Sequence, residues 1–227
     1  MHALAAVLLV AAAAVMPAGH SVEGRQIEAS LRGDADAPVR VLVVGQIHGD
    51  ESEGVKVVRA LRKLSPPRGV AVWTVTSFNP DGARRGTRQN AHGVDLNRNF
   101  ARGWRKTERG TRYWGGRRPF SQPESKAVRR LVKRLKPQLT IWFHQPYGFV
   151  NLSQGADPRL VRRYARLVDM AVRTLPNYPG TATAWQNHAY PGTDAFVVEL
   201  RAGKLPARRA RRHAEAVLRL AGGLSNG

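Results

Sequence analysis

The sequence predicts an α/β fold in a single domain, because four short apolar runs rich in β-branched residues alternate with four helical stretches and no repeat or linker divides the chain. The runs Val39 to Val44, Val70 to Ser77, Leu139 to His144 and Ala195 to Leu200 read as buried strands. Helical patterns lie near 52 to 64, 123 to 135, 157 to 174 and 206 to 221. The second opens on Ser121 and Glu124, which have capping-box spacing, with Pro123 in the first turn where its missing N–H costs little. The last places Ala210, Ala214, Val217 and Ala221 on one face and most of its arginines elsewhere. At 227 residues and 42% hydrophobic composition, the chain can bury one substantial core and is short for two.

Residues 1 to about 20 contain an apolar run from Ala3 to Val15 followed by Pro17, Ala18 and Gly19, the pattern of a secretory leader and its small-residue cleavage zone. The expected organisation is therefore a leader over 1–20 and one domain over 21–227, secreted, with no membrane span in the mature chain. From Asn79 to Gln122 the sequence is rich in Gly, Arg and Asn without apolar periodicity, and a loop that long in a compact domain is usually functional or disordered. Within it, 102–119 is a candidate lid, whose Trp104 and Trp114 are equally candidates for packing anchors.

There is no cysteine, so disulfides, thiolate nucleophiles and Cys-based metal sites are excluded and any metal must be held by His and carboxylates. Thirty-seven Lys and Arg against 16 Asp and Glu give a net charge of +21, which attracts anionic partners. The arginines are scattered along helices, as in Arg129, Arg130, Arg208 and Arg209, rather than gathered in a basic arm. That distribution suits charged helix faces better than specific nucleic-acid binding.

His48 and Glu51 follow the first buried run three residues apart, at a helix entry, and the third run ends in His144. Strand carboxyl ends are where ligands gather in open α/β sheets, so two histidines and a carboxylate can meet there with a position left for water. Taken alone, each histidine is as easily a hydrogen-bonded strand-end residue. Glu199 sits inside the fourth apolar run, where a carboxylate is costly unless it pairs, for example with Arg201, or serves as a base. The loop adds Asn79-Pro-Asp-Gly82, Arg88 and Gly93-Val-Asp95-Leu-Asn97-Arg98-Asn99-Phe100.

With these segments in order, the chain resembles the M14 family of zinc carboxypeptidases over about Val22 to Leu220. The resemblance implies a mixed central β-sheet flanked by helices and one zinc ion per chain, held by His48, Glu51 and His144; carboxypeptidase A, a member of that family, is a standard instance of the His₂Glu site. It further implies Glu199 as general base and later proton donor, Arg88 as the oxyanion-stabilising arginine, and Asp95 as the carboxylate that orients the first histidine. Asn97 and Arg98 match the pair that grips a substrate's terminal carboxylate, for which a guanidinium fork is apt, or else brace the loop. Tyr178 is matched to the family's mobile tyrosine, with a packing role as the alternative.

The short chain, the spacing of the loop motifs and Ser121-Gln-Pro-Glu124 are most similar to the murein peptide amidase branch. That implies peptidoglycan-derived peptides cleaved between γ-D-glutamate and diaminopimelate. A general metallocarboxypeptidase acting on ordinary C-termini and, from another class, a catalytically silent binder of anionic wall polymer remain the alternatives.

Overall fold

A computed structural model of the chain describes residues 14–225. Its elements, in chain order, are β1 (Val15–His20), β2 (Gln26–Arg32), β3 (Val39–Val44), α1 (Gly54–Leu61), β4 (Val70–Val75), α2 (Pro80–Arg85), a 3-10 turn (Leu96–Arg98), α3 (Pro123–Leu135), β5 (Leu139–His144), β6 (Tyr147–Asn151), α4 (Pro158–Val168), β7 (Ala171–Arg173), α5 (Ala182–Ala189), β8 (Asp194–Arg201) and α6 (Ala207–Leu224). The eight strands form one mixed sheet in the order β1-β2-β4-β3-β5-β8-β6-β7. Its middle, β4-β3-β5-β8, is parallel throughout and consists of the four strands expected from the apolar runs. Parallel strands covered on both faces must be apolar on both, which is why those four stand out in the sequence.

Alternate residues of the central strands feed two cores. Val41 and Val43 pack with Val57, Val58 and Leu61 of α1, Tyr164 of α4 and Val217 of α6. Leu42 and Val44 face the opposite layer, with Val128, Leu131 and Val132 of α3 and Trp185 of α5. Ala210, Ala214, Val217 and Ala221 of α6 are all buried, as its periodicity implied.

Several expectations need correction. Four flanking strands and the helices α2 and α5 were not anticipated. The helix expected over 157–174 ends at Val168, because Asp169 takes a left-handed φ of 56°, and Ala171–Arg173 pairs with β6 as an edge strand instead. At α3 the capping box does not form: Gln122 is the N-cap, without a side-chain cap, and Glu124 instead accepts hydrogen bonds from Val22 N and Asn90 Nδ2. Residues 1–13 of the expected leader lie outside the described residues, while Val15–His20 forms β1, antiparallel to β2, with Met16 and Ala18 in the core. The folded unit thus includes residues upstream of the boundary at 21.

Candidate metal centre and substrate cavity

Two sequence motifs interlock to shape the site. Asn79 caps α2 by accepting from Gly82 N at 2.9 Å, and its Nδ2 donates to the Arg88 carbonyl at 3.2 Å, so the N-P-D-G turn fixes the backbone that carries Arg88. Gly49, between His48 and Glu51, lies so close to Gly82 that an added Cβ would come within 2.0 Å of its carbonyl carbon. No other residue fits there, so the H-G-x-E segment keeps a bare backbone where it crosses α2.

His48 lies beyond the end of β3, Glu51 precedes α1 and His144 closes β5, so all three gather at strand carboxyl ends. Their ligand atoms fall within 4.8 Å of one another. Glu51 contacts His48 Nδ1 through Oε1 and His144 Nδ1 through Oε2, both at 2.8 Å, and the two Nδ1 atoms are 3.1 Å apart. An imidazole nitrogen carries either one proton or one lone pair, so this triangle cannot be satisfied by hydrogen bonds alone. Asp95 Oδ1, 3.2 Å from His48 Nε2, favours a proton on that nitrogen and leaves the Nδ1 lone pair facing the Glu51 carboxylate. Acceptor against acceptor calls for a cation between them. The donor set, two imidazoles and a carboxylate, suits zinc.

The electrostatics agree. Burial opposes charge on His48, yet Glu51 and Asp95 outweigh it and raise the imidazole pKa, so the site draws positive charge. Burial would likewise raise Glu51, but the neighbouring imidazoles hold its carboxyl well below the usual carboxylate range. Asp95, fully buried, is held low by His48 and Arg88 against the same burial effect.

Glu199 stands in register beside His144 on the adjacent strand. Its Oε2 is buried without a hydrogen-bond partner, and burial pushes its carboxyl up. The alternative of an Arg201 pairing is not realised: among the described residues Glu199 makes no ion pair, and Arg201 is exposed at the end of β8. Arg88 donates Nε to Asp95 at 2.9 Å and Nη1 to Glu51 at 3.2 Å.

Asn97 Oδ1 accepts from Ala182 N at 2.9 Å, which turns its amide Nδ2 the other way. Arg98 donates to the Asn97 carbonyl, and its guanidinium lies between two tyrosine rings, 4.9 Å from Tyr178 and 5.4 Å from Tyr113. Arg88 lies 5.4 Å from the same Tyr113 ring. Loop bracing falls to the next residue, Asn99. Its Nδ2 donates to the carbonyls of Gly115 and Arg118 and to Ser121 Oγ, while its Oδ1 accepts from Gln122 N and Ser125 Oγ.

His48, Glu51, His144, Glu199, Arg88, Asn97, Arg98 and Tyr178 all line one cavity of about 530 Å³, with Asp95 behind it. The segment taken as a candidate lid contributes a wall of this cavity through Arg105, Thr107, Arg112, Tyr113 and Gly115. Its tryptophans are anchors: Trp114 is buried, and Trp104 Nε1 donates to the Gly115 carbonyl at 3.1 Å. Tyr113 was not foreseen, since nothing in its aperiodic surroundings sets it apart from the other loop residues.

The fold is that of a zinc carboxypeptidase: the sequence model of that family (M14) matches residues 11–194, and the chain belongs to it. Among individual relatives, murein peptide amidase A of Escherichia coli K12 is 33% identical, over 63% of this chain and 64% of its own length. The chain thus spans less than two thirds of that relative. The crystal structure of murein-tripeptide amidase MpaA from Escherichia coli O157 superposes with a TM-score of 0.73 at 25% identity and covers 91% of both chains. Carboxypeptidase A of Helicoverpa armigera has a TM-score of 0.74 at 19% identity, over 95% of this chain and 70% of its own, and shows the shared fold.

Proposed function

We propose that the protein is a zinc-dependent peptidase that hydrolyses an amide bond next to a free carboxylate in peptidoglycan-derived peptides, of the γ-D-glutamyl-diaminopimelate amidase type. The observation that carries this reading is the convergence of His48, Glu51 and His144, with ligand atoms within 4.8 Å of one another, beside the unpartnered oxygen of Glu199. The relatives named above supply the substrate class.

Zinc, when bound by those three residues, supplies Lewis-acid polarisation and lowers the pKa of water. Glu199 takes the proton from a water as its oxygen bonds to the amide carbon, and returns it to the nitrogen as the C–N bond breaks. Burial without a partner keeps the Glu199 carboxylate a stronger base than an exposed one. Arg88 is tethered through Nε and Nη1, which leaves its other Nη group to face the developing oxyanion. The Asn97 amide and the Arg98 fork hold the terminal carboxylate, with Tyr178 covering the Arg98 guanidinium. The apolar run Ala3 to Val15, followed by Pro17, Ala18 and Gly19, supports export. The charge of +21 supports association with anionic wall polymer as a further part of this reading.

The test is hydrolysis of L-Ala-γ-D-Glu-diaminopimelate by zinc-loaded protein, followed by chromatography beside an ordinary C-terminal peptide. Glu199→Gln is expected to keep its zinc and lose about a thousandfold in kcat. Cleavage of the ordinary peptide alone would move the protein to the general carboxypeptidases; no cleavage by zinc-loaded wild type would remove the proposal.

A further inference from the structure

The cavity holds more positive charge than one terminal carboxylate requires. Its lining includes four guanidinium groups, Arg88, Arg98, Arg105 and Arg112, against two carboxylates, Glu51 and Glu199. Arg88 is matched by Asp95 and Glu51. Among the described residues neither Arg105 nor Arg112 has an ion-pair partner, although 16 acidic residues are distributed over the chain. Both stand on the wall segment that also carries Tyr113, and the Tyr113 ring is flanked by Arg98 at 5.4 Å and Arg112 at 5.9 Å. The carboxylate-gripping Arg98 and the wall residue Arg112 therefore share one aromatic ring, and Arg105 joins them in the cavity lining. The lining also includes uncharged polar residues, Asn151, Ser153, Gln154 and Thr183.

We infer that Arg105 and Arg112 form a second anion subsite, which takes a carboxylate on the side chain of the same residue whose terminal carboxylate Asn97 and Arg98 hold. This deepens the proposed function and rests on that reading. The substrate class is then a peptide ending in a dicarboxylic amino acid. Tyr113 stands within reach of both positions, 5.4 Å from Arg98 and 5.9 Å from Arg112. Guanidinium groups favour this task because they donate in a planar fork and remain charged at any working pH.

The test compares zinc-loaded wild type, Arg105→Gln/Arg112→Gln, and Arg102→Gln/Arg117→Gln, a control that removes the same charge from exposed loop positions away from the cavity lining. The substrates are L-Ala-γ-D-Glu-diaminopimelate and L-Ala-γ-D-Glu-L-Lys, which differ at the end of the side chain by one carboxylate. Wild type is expected to prefer diaminopimelate, and the cavity variant to lose about tenfold or more of that preference, mostly through KM, while cleaving the lysine peptide nearly as before. The control should keep the wild-type ratio. An unchanged ratio in the cavity variant, or an equal loss in the control, would overturn the subsite. Binding of free diaminopimelate and free lysine to the same zinc-loaded proteins, measured by calorimetry, reads the subsite without turnover. If wild type cleaves neither peptide, the functional reading fails, and the subsite stands or falls on whether the cavity variant alone loses the calorimetric preference.

Discussion

Asp95→Asn isolates the part of the site that orients the metal ligands. Asp95 Oδ1 accepts from His48 Nε2 at 3.2 Å and Asn97 N at 2.9 Å, and Oδ2 accepts from Arg88 Nε at 2.9 Å. An amide offers one acceptor and one donor, so it cannot serve all three. With its oxygen toward His48, its NH₂ opposes the Arg88 N–H; flipped, it opposes the N–H of Asn97 and forces the His48 proton onto Nδ1, where the metal lone pair is needed. Either orientation also removes the negative charge that increases the basicity of His48. Losing such an orienting carboxylate costs about 10- to 100-fold in metal affinity, or roughly 1.4–2.8 kcal/mol. Burial disfavours the Asp95 charge, but His48 and Arg88 hold its pKa below the ordinary 3.8. A depressed carboxyl contributes stability that is present above the unfolded pKa and lost below it. The stability gap between wild type and the variant, measured on metal-free protein, should therefore be flat from about pH 5 to 6, narrow in stronger acid, and narrow again above pH 6.5 as His48, whose pKa Asp95 helps to raise, loses its proton. Zinc competition against a chromophoric chelator measures the affinity, with denaturant melts to confirm folding. A folded variant that binds zinc within twofold of wild type would refute the orienting role.

Two further predictions use other parts of the structure. Tyr113→Ala removes the ring that lies against Arg88, Arg98 and Arg112. At about 0.5–2 kcal/mol for cation–π contact, KM should rise roughly 3- to 30-fold with little change in kcat, and Tyr113→Phe should restore it. Equal KM values for wild type and the alanine variant would show that the ring positions nothing. In the core behind β5, His213 Nδ1 pairs with the Tyr164 hydroxyl at 2.9 Å, and burial, assisted by Arg212 and Arg209, lowers the imidazole from 6.5 to about 4. The unfolded chain therefore takes up this proton first as pH falls, and stability of up to about 3 kcal/mol is lost between pH 6.5 and 4. His213→Gln, which keeps an acceptor for Tyr164, should flatten that part of a urea-denaturation profile; an unaltered slope would place the pH dependence elsewhere.

How much of this was legible in sequence depends on whether a residue's neighbours are set by periodicity or by individual hydrogen bonds. The parallel strands β3, β4, β5 and β8 are buried on both faces, so their apolar runs announced themselves, and with them the strand ends that carry His48, His144 and, within β8, Glu199. The flanking strands obey weaker rules. Ile27, Ala29 and Leu31 of β2 do alternate inward, but Gln26, Glu28 and Ser30 between them dilute the apolar signal. Met16 and Ala18 of β1 were absorbed into the leader pattern, and three-residue β7 is too short to oppose the helical pattern that runs into it.

The cavity wall follows yet another logic. Its backbone is held by Asn99, whose amide reaches Gly115, Arg118 and Ser121, and by a close approach in which a Cβ on Gly115 would lie 2.5 Å from the Arg98 carbonyl oxygen. One polar side chain and one glycine thus turn an aperiodic segment into a fixed surface, and Tyr113, Arg105 and Arg112 line the cavity as a consequence. The resemblance supplied Asn97 and Arg98 as the carboxylate grip but said nothing of Asn99, the neighbour that determines what stands opposite them. If the wall is built this way, disturbing Asn99 should alter substrate preference as well as stability, because the second anion position depends on the same five hydrogen bonds that hold the loop.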